Sequence, residues 1–244
     1  EVNKIIGEYQ GGFRPGRSTT DQICLLKLIQ NNSYEQNLGL HMLFIDFKQA
    51  YDSVDRDMLY EAMRSLGISG KLVKLVRMTL NNTKNRITLE GNFSKQFTVN
   101  KGLKQGDPLS TDLFNLVLEH IVRRIKINTS GTIFNNRQQF IAYADDLVIL
   151  TRTKEHLQKI FQKFEAEAKR YGLRINQGKT QYMVMKGDIN KEDNYIKMKG
   201  EGDEYKFKEV AEFEYLGVTV TSTGREEKEI DKRLLKGSRV WGVS

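Results

Sequence analysis

The spacing of apolar residues along the chain alternates between helical and strand-like patterns. Helical spacing of three and four residues occurs in five segments: the stretch after Ser18, about 57–66, about 70–80, 109–127, and the stretch between Thr153 and Gly172. Short runs of strand length occur at 41–45, 86–90, 96–100, 141–144, 147–150, about 181–186, 207–210 and 215–220. Because helices and strands are interspersed and several strands form hairpins, the pattern predicts an α+β fold instead of a doubly wound sheet.

Two of these strand-like runs, 141–144 and 147–150, are separated only by Asp145 and Asp146. Two residues between strands is the spacing of a β-hairpin, with the aspartates as its turn. Aspartate tolerates the left-handed backbone of tight turns, but Asn-Gly or Asp-Gly is the more common choice. A purely structural turn is therefore one interpretation. A functional site is the other, because charges inside an apolar run need compensation.

A third carboxylate, Asp46, ends the apolar run 41–45. If that run and the hairpin are neighbouring strands of one sheet, Asp46, Asp145 and Asp146 converge. Like charges at short distance force one group to protonate unless a cation is present. Mg²⁺ prefers one or two carboxylates plus substrate phosphates, and two ions about 4 Å apart support phosphoryl transfer. Ca²⁺ is the weaker alternative, since no regular ligand spacing resembles a calcium loop.

The composition is that of a globular protein with a basic surplus. The chain has 244 residues, 39% of them apolar, and a net charge of +8, which suits one sizeable domain or one domain with an appended piece. Between residues 84 and 104 five basic residues stand against Glu90 alone. A surplus of this kind favours polyanionic partners, while a solvated surface of mixed charge is the alternative.

The sequence also argues against several classes of protein. No apolar run approaches the roughly 18 residues of a membrane span, and the N-terminus has no signal-peptide pattern. We therefore expect no membrane association and an intracellular location, with nucleus and cytoplasm not distinguished. The single cysteine, Cys24, excludes an internal disulfide and a cysteine-based zinc cluster. Its apolar neighbours predict a buried thiol.

Six short motifs follow one another along the chain. They are GFRPGRSTTDQ at 12–22, FIDFKQAYD at 44–52, QGDPLS at 105–110, YADD at 143–146, GLxxNxxKT at 172–180 and YLG at 215–217. Together they resemble the reverse transcriptase domain of non-LTR (LINE-type) retrotransposons and, less closely, the enzymes of group II introns and retrons. One departure is Thr111, where the family usually has proline after the serine. The resemblance implies a right-hand polymerase palm, an antiparallel sheet backed by helices, with partial fingers and the thumb largely absent.

The same resemblance implies a division of the chain. The expected parts are partial fingers at 1–40, a palm at 41–205 with a fingers-side insertion near 70–100, a primer-grip hairpin at 206–224, and the start of a thumb or connection at 225–244. A basic residue that helps to hold the triphosphate in the family is expected upstream of residue 1. We therefore expect a piece of a larger retroelement polyprotein, or a degenerate copy.

By resemblance, the chain is an RNA-directed DNA polymerase that adds dNTPs to the 3′-hydroxyl of a DNA primer on an RNA template. Asp46 and Asp145 would hold two Mg²⁺ ions, or Mn²⁺, with the Phe47 carbonyl as a further ligand and Asp146 as a third carboxylate. Lys179 would donate a proton to the departing pyrophosphate. A surface lysine close to phosphates is the alternative for Lys179.

The resemblance also assigns binding roles. Tyr51 would exclude the 2′-hydroxyl of an rNTP, or simply pack at a helix start. Gln105 and Gly106, with Phe47, would contact the incoming nucleotide, unless 105–108 is an ordinary turn into a helix. The primer and template would be held by residues from three motifs: Arg14, Arg17, Tyr143, Tyr215, Leu216 and Gly217. The alternatives are a solvated loop for the arginines and a plain hairpin for 215–217.

Two further functions stay open. The first is a catalytically weak or inactive nucleic-acid-binding remnant of a retroelement. The second is an RNA-dependent RNA polymerase, which the aromatic residue Tyr51 disfavours.

Overall fold

The computed structural model describes residues 2–125, 140–185 and 194–224. Its helices are α1 (Val2–Ile5), α2 (Thr19–Glu35), α3 (Ala50–Ser53), α4 (Arg56–Ser65), α5 (Gly70–Leu80), α6 (Pro108–Arg124) and α7 (Lys154–Arg170). Its strands are β1 (Leu40–Ile45), β2 (Thr83–Asn85), β3 (Thr88–Leu89), β4 (Asn92–Phe93), β5 (Phe97–Val99), β6 (Phe140–Tyr143), β7 (Asp146–Thr151), β8 (Gln181–Met185), β9 (Tyr195–Lys199), β10 (Glu204–Glu209), β11 (Glu212–Tyr215) and β12 (Val218–Thr221). The predicted thumb segment, 225–244, lies outside the described residues. None of the described helices is long and apolar enough to span a membrane.

The chain divides into two compact units. The helical unit comprises Glu1–Gly7, Phe47–Lys126 and Lys163–Ile175, and the sheet unit comprises Glu8–Asp46, Ile127–Gln162 and Asn176–Ser244. Both are built from separate stretches of sequence. The predicted division into fingers, palm, primer grip and thumb stays a prediction.

A six-stranded sheet organises the sheet unit, with the strand order β6-β7-β1-β8-β10-β9. Its neighbouring strands run antiparallel except for the short parallel pairing of β10 with β8. A separate hairpin joins β11 and β12. The expected hairpin between 207–210 and 215–220 is wrong, because Phe207 pairs with Ile196 of β9 inside the large sheet.

Helix α2 covers one face of this sheet. Its first turn is closed by a capping box in which Ser18 accepts from the Asp21 N–H and the Asp21 carboxylate accepts from the Ser18 N–H. Leu26 and Ile29 then pack in one buried cluster with residues of the sheet and of β11–β12: Met42, Phe44, Ile141, Val148, Leu150, Met183, Met185, Tyr215 and Val220. Burying each large side chain contributes roughly 1.5–3 kcal/mol.

The predicted buried thiol is wrong, because Cys24 is exposed. Cys24 lies two positions before Leu26, which places it about 200° away around the helix. Leu26 is fully buried, so the opposite face of α2, with Cys24, points to solvent.

In the helical unit, α4 packs against both α5 and α6. The predicted helices at 57–66 and 70–80 agree with α4 and α5 to within one residue, while α6 ends three residues before the predicted end at 127. Between α5 and α6 the chain forms two small hairpins, in which β2 pairs with β5 and β3 with β4. The inner turn is Glu90-Gly91 instead of the predicted Gly91-Asn92.

The buried side chain of Arg56 connects α4 to the chain that leads into α6. Only 7% of Arg56 is exposed. Its guanidinium donates to four backbone carbonyls: Gly102 at 2.9 Å, Leu80 at 2.5 Å, Val99 at 2.8 Å and Lys101 at 3.1 Å. Arg56 therefore joins α5, the end of β5 and the segment before 105–110 within this unit.

Candidate active site

The paired aspartates sit at a hairpin turn, but one residue away from the predicted position. Tyr143 of β6 pairs with Asp146 of β7, so the turn residues are Ala144 and Asp145, and Asp146 begins the strand. Ala144 adopts the left-handed region at φ 56°, which costs an alanine roughly 1–2 kcal/mol. The predicted Asp145-Asp146 turn is therefore wrong. The two carboxylates leave the backbone from a turn residue and from a strand residue.

Asp46 follows β1, the strand that neighbours β7. The register pairs Ile45 with Leu147, and one further step places Asp46 across from Asp146. The Asp46 backbone is held from both sides, because its N–H donates to the Thr180 hydroxyl at 3.1 Å and its carbonyl accepts from the Asn176 N–H at 2.8 Å. The predicted proximity of Asp46 to the hairpin is therefore present within the sheet unit.

One carboxylate oxygen at this site lacks a protein partner. Oδ2 of Asp46 is buried and has no hydrogen-bond partner among the described residues. A buried acceptor of this kind is costly unless it is compensated. A cation bound at Asp46 would provide that compensation, so the residues present fit a metal ion.

Electrostatics at the hairpin indicate the same need for a cation. Burial raises the pKa of Asp145, and the charge of Asp46 adds to the rise. The pKa of Asp146 is raised to about 6, first by burial and then by the charges of Asp145 and Asp46. Asp146 is exposed as a residue, but protein atoms around its carboxyl group still displace water. The ionised forms of Asp145 and Asp146 are therefore disfavoured unless a cation binds nearby.

The charge of Asp46 acts on both Asp145 and Asp146, but the three carboxylates do not form a metal-binding group by themselves. Among residues 2–125, 140–185 and 194–224, no three His, Cys, Asp or Glu side chains are grouped so that they could hold a metal ion together. Asp46, Asp145 and Asp146 thus do not form a ready three-carboxylate cluster, and their joint role as ligands of two metal ions stays a prediction. Mg²⁺ does not require such a cluster, since it commonly takes one or two carboxylates with water and substrate phosphates.

The raised pKa of Asp146 leads to a stability prediction. In the unfolded chain an aspartate has a pKa of about 3.9, so the folded chain binds this proton more tightly. Without divalent cations, the contribution of Asp146 to the unfolding free energy should fall as the pH rises from about 4 to about 6 and then level off. Asp146→Asn removes this contribution, so the variant should gain stability over the parent chain across that window. Urea unfolding in a chelator measures the difference, and parallel pH profiles for the two proteins would contradict the raised pKa.

A cavity of about 200 Å³ lies beside these groups in the sheet unit. Its lining includes the charged side chains of Asp46, Asp146 and Lys179, together with the aromatic rings of Phe44, Phe213 and Tyr215. The structure thus brings Lys179 and Tyr215 to two of the predicted carboxylates. A larger cavity of about 310 Å³, lined by His41 and Tyr182 among others, contains none of the predicted site residues.

The hairpin β11–β12 carries the YLG motif at its turn. Tyr215 pairs with Val218, and Leu216 and Gly217 both have positive φ, at 49° and 79°. Tyr215 is only 3% exposed, and its ring packs against Phe44 with centroids 5.9 Å apart. Burial, with a smaller effect of the Asp146 charge, raises the pKa of Tyr215. Tyr215 therefore anchors the hairpin as a neutral side chain. Of the turn residues, Leu216 is partly buried against the same core and Gly217 is exposed.

The arginines predicted to bind the nucleic-acid backbone make contacts with other residues of this chain. Arg14 donates to the Gln10 carbonyl at 3.0 Å, and Arg17 forms an ion pair with Glu8. Tyr143 packs at a tilt of 40° against the exposed ring of Phe13, with 6.1 Å between centroids. Contact of these residues with nucleic acid stays a prediction.

The residues predicted to bind the nucleotide belong to the helical unit. Phe47 is buried and packs against Phe164, with centroids 6.1 Å apart. Tyr51 stacks on Phe114 at 4.8 Å between centroids. The Gln105 amide donates to the Asp52 carboxylate at 3.2 Å.

Gly106 is in the same unit and adopts a φ of 85° that favours glycine. A Cβ on Gly106 would meet no atom of the described residues within 4 Å. This turn therefore leaves open space beside the backbone, as the predicted close approach of a ligand requires.

Sequence reasoning missed three residues that hold the site in place. Thr180 binds the Asp46 backbone, as described above. Gln10 and Gly12 contact the turn residue Ala144. Thr180 and Gly12 lie inside the motifs at 172–180 and 12–22. Gln10 lies two positions before the motif at 12–22, and no pattern in the neighbouring sequence indicates its contact with Ala144.

The chain matches known proteins over most of its length. The family model described as "Reverse transcriptase (RNA-dependent DNA polymerase)" matches residues 1–220. The retrovirus-related Pol polyprotein from type-2 retrotransposable element R2DM of Drosophila melanogaster is 28% identical over 220 residues, which are 88% of this chain and 21% of that protein. The RNA-directed DNA polymerase from mobile element jockey of Drosophila funebris is 25% identical over 185 residues, which are 73% of this chain and 20% of that protein. The chain thus spans about a fifth of these relatives.

A solved structure supports the fold. Apo telomerase from Candida tropicalis, truncated from its C-terminal domain, superposes with a TM-score of 0.63 and 15% identity, covering 88% of this chain and 40% of that one. The predicted α+β palm is therefore confirmed as the fold class. Reverse transcriptases in general use divalent metal ions, in agreement with the unpartnered buried oxygen of Asp46 and the raised pKa values of Asp145 and Asp146.

Proposed function

This chain belongs to the reverse transcriptase (RNA-dependent DNA polymerase) family, and on that premise we propose that it adds dNTPs to a primer 3′-hydroxyl on an RNA template. The observation that carries the proposal is the pair of adjacent strand ends, β1 and β7, where Asp46 has an uncompensated buried oxygen beside Asp146. Phosphoryl transfer depends mainly on positioning and on neutralising charge, and this arrangement suits both.

The proposed metal ligands are Asp46 and Asp145, with Asp146 and the Phe47 carbonyl as further ligands for two Mg²⁺ ions, or Mn²⁺. The chemistry that such ions supply is activation of the attacking hydroxyl and stabilisation of the leaving oxygen. The protein contributes the placement of the carboxylates. Thr180 and Asn176 support this role, because they hold the Asp46 backbone through hydrogen bonds.

Other residues of the sheet unit take the remaining roles in the proposal. Lys179 shares the cavity of Asp46 and Asp146 and donates a proton to the departing pyrophosphate. The hairpin turn, Leu216 and Gly217, holds the primer end, with Tyr215 as its buried anchor. Arg14 and Arg17, in the loop before α2, contact the primer and template, as does Tyr143 at the end of β6. The rest of a retroelement polyprotein is the proposed natural partner.

Primer extension tests the proposal directly. The full chain is incubated with a labelled DNA primer on an RNA template, dNTPs and Mg²⁺ or Mn²⁺. Template-dependent extension that stops in a chelator is the expected result. Binding of the same primer and template that weakens steeply with salt, without any extension, would favour a nucleic-acid-binding remnant. The net charge of +8 suits that second function.

The nucleotide-binding part of the proposal assigns Phe47, Tyr51, Gln105 and Gly106 to the dNTP, with Tyr51 excluding the 2′-hydroxyl. Tyr51→Ala should therefore raise the ratio of rNTP to dNTP incorporation by about 10- to 100-fold, the usual range for rejection of one added hydroxyl. Single-nucleotide incorporation measures this ratio. Tyr34→Ala is the control, because Tyr34 is an exposed tyrosine of α2 and should leave the ratio unchanged. An unaltered ratio in Tyr51→Ala would remove Tyr51 from sugar selection.

A further inference from the structure

The side chain of Gln10 binds both backbone groups of the hairpin residue Ala144. Gln10 is fully buried. Its amide Nε2 donates to the Ala144 carbonyl at 3.1 Å, and its Oε1 accepts from the Ala144 N–H at 2.8 Å. The same Oε1 accepts from the Gly12 N–H at 2.8 Å. One side-chain amide thus satisfies both the N–H and the carbonyl of Ala144.

The backbone around Gln10 strengthens this contact. The Ala142 N–H donates to the Tyr9 carbonyl, and the Gly11 N–H donates to the Ala142 carbonyl, both at 2.8 Å. A Cβ on Gly12 would lie 2.2 Å from the Ala144 nitrogen, so only glycine permits this close approach. Residues 9–12 therefore form an edge beside β6 that ends directly at the turn.

The residue that Gln10 holds has a strained backbone. Ala144 has a φ of 56°, a region that alanine rarely adopts. Such a conformation persists only where the surroundings determine it. Asp145 follows Ala144 directly and Asp146 comes next, so the conformation of Ala144 sets the direction in which the chain leads to both carboxylates.

We propose that Gln10 is a positioning residue of the active site, which holds Ala144 in the left-handed region and thereby places Asp145 and Asp146. This inference rests on the proposed polymerase function for its catalytic consequence, but the structural part does not. Gln10 touches no reacting atom and acts through the turn alone.

Gln158 provides a matched control elsewhere in the sheet unit. Its amide donates to the Lys199 carbonyl at 2.7 Å and accepts from the Lys199 N–H at 2.9 Å. Gln158 therefore makes the same two-bond contact with one backbone residue as Gln10 does. Gln10→Met and Gln158→Met each remove a side-chain amide that makes two backbone hydrogen bonds. Of the two residues, only Gln10 contacts the turn at Ala144.

The first measurement is hydrogen exchange of backbone amides, which requires no catalytic activity. In Gln10→Met the amides of Ala144 and Gly12 lose their acceptor and should exchange about tenfold faster or more. In Gln158→Met the Ala144 amide should exchange as in the parent chain. Unchanged exchange at Ala144 in folded Gln10→Met would overturn the proposal, whether or not the chain is a polymerase.

The second measurement is primer extension with varied divalent ion. Removing a residue that orients metal ligands typically costs about 10- to 100-fold in metal affinity or activity. We expect Gln10→Met to lose activity in that range and to need more divalent ion, with an unchanged KM for the primer and template. Gln158→Met should change neither quantity. Altered exchange with full activity would overturn the catalytic role of Gln10 and leave the proposed polymerase function intact.

Rescue separates positioning from packing. Glycine adopts positive φ without steric cost, so Ala144→Gly in the Gln10→Met background should restore part of the lost activity. If Gln10→Met alone fails to fold, recovery of a cooperative unfolding transition in the double variant supports the proposal. Failure of Ala144→Gly to recover either folding or activity overturns it.

Discussion

Asp145→Asn is expected to reduce the rate of primer extension by about 100- to 1,000-fold. Losing a ligand of a catalytic metal removes several kcal/mol of transition-state stabilisation, and each 1.4 kcal/mol or so corresponds to a factor of ten. Asparagine keeps the size of the side chain but removes the negative charge. The effect should appear in kcat, since the proposed role of this carboxylate is to hold the catalytic metal ion.

The same substitution should not weaken the fold. Burial raises the pKa of Asp145 in the folded chain, which means that folding disfavours the ionised carboxylate relative to the unfolded chain. In the absence of divalent ions, Asp145→Asn should therefore be at least as stable as the parent chain. Loss of activity together with an undiminished unfolding free energy would be a catalytic effect and not a folding defect.

Asp57→Asn is the control for this substitution. Asp57 lies in the first turn of α4, where its exposed carboxylate pairs with Arg77 at 3.2 Å. Exposed ion pairs contribute roughly 0–1 kcal/mol, so extension should be unchanged. Equal extension by the Asp145→Asn variant and the parent chain would exclude Asp145 as a metal ligand and would remove the main support for the proposed chemistry.

Arg56→Met is expected to lower the unfolding free energy of the chain by about 3 kcal/mol or more. Two of the four hydrogen bonds of Arg56, those to Gly102 and Leu80, are fully buried. A hydrogen bond from a charged group contributes about 1.5–3 kcal/mol. Methionine fills a similar volume but leaves these carbonyls without their donor.

Urea unfolding measures this loss, and Arg64→Met is the control. Arg64 is exposed near the end of the same helix, so its replacement should change the unfolding free energy by less than about 1 kcal/mol. A cost for Arg56→Met as small as that of the control would mean that backbone carbonyls around Gly102 find water in place of the guanidinium.

Arg56 also shows what the sequence could not reveal. Its position directly before a predicted helix, in a chain with 39 lysines and arginines, indicates a solvated charge. The structure buries it because the carbonyls of Leu80, Val99 and Gly102 come together around it. Those carbonyls belong to residues 24 to 46 positions further along the chain, and no local pattern announces such a contact.

The helices were predicted most accurately because their signals are local. Thr153 accepts from the His156 N–H at 3.2 Å, and Gly172 has the positive φ of 83° that ends a helix. Both features lie within one helical turn of an end of α7. The predicted strand at 207–210 pairs with β9 instead, and the predicted strand at 215–220 contains the turn between β11 and β12. Strand pairing is decided by contacts that local sequence does not encode.

The turn at the paired aspartates shows the same limit at the site itself. Two strand-like runs separated by Asp145 and Asp146 predict those residues as the turn. The structure shifts the turn by one residue, to Ala144 and Asp145. Gln10, 134 positions away in the sequence, makes two hydrogen bonds to the strained Ala144 backbone at this turn.

The family, the α+β class and the three candidate carboxylates are predictable from the amino-acid sequence, because ordered motifs and short-range periodicity depend on neighbouring residues. The way in which those carboxylates are held is visible in the folded chain alone. Asp46 comes to lie across from Asp146 through the pairing of β1 with β7, and Ala144 is held in its strained conformation by Gln10. Both depend on contacts between distant segments, whose free energy arises only when the chain is folded.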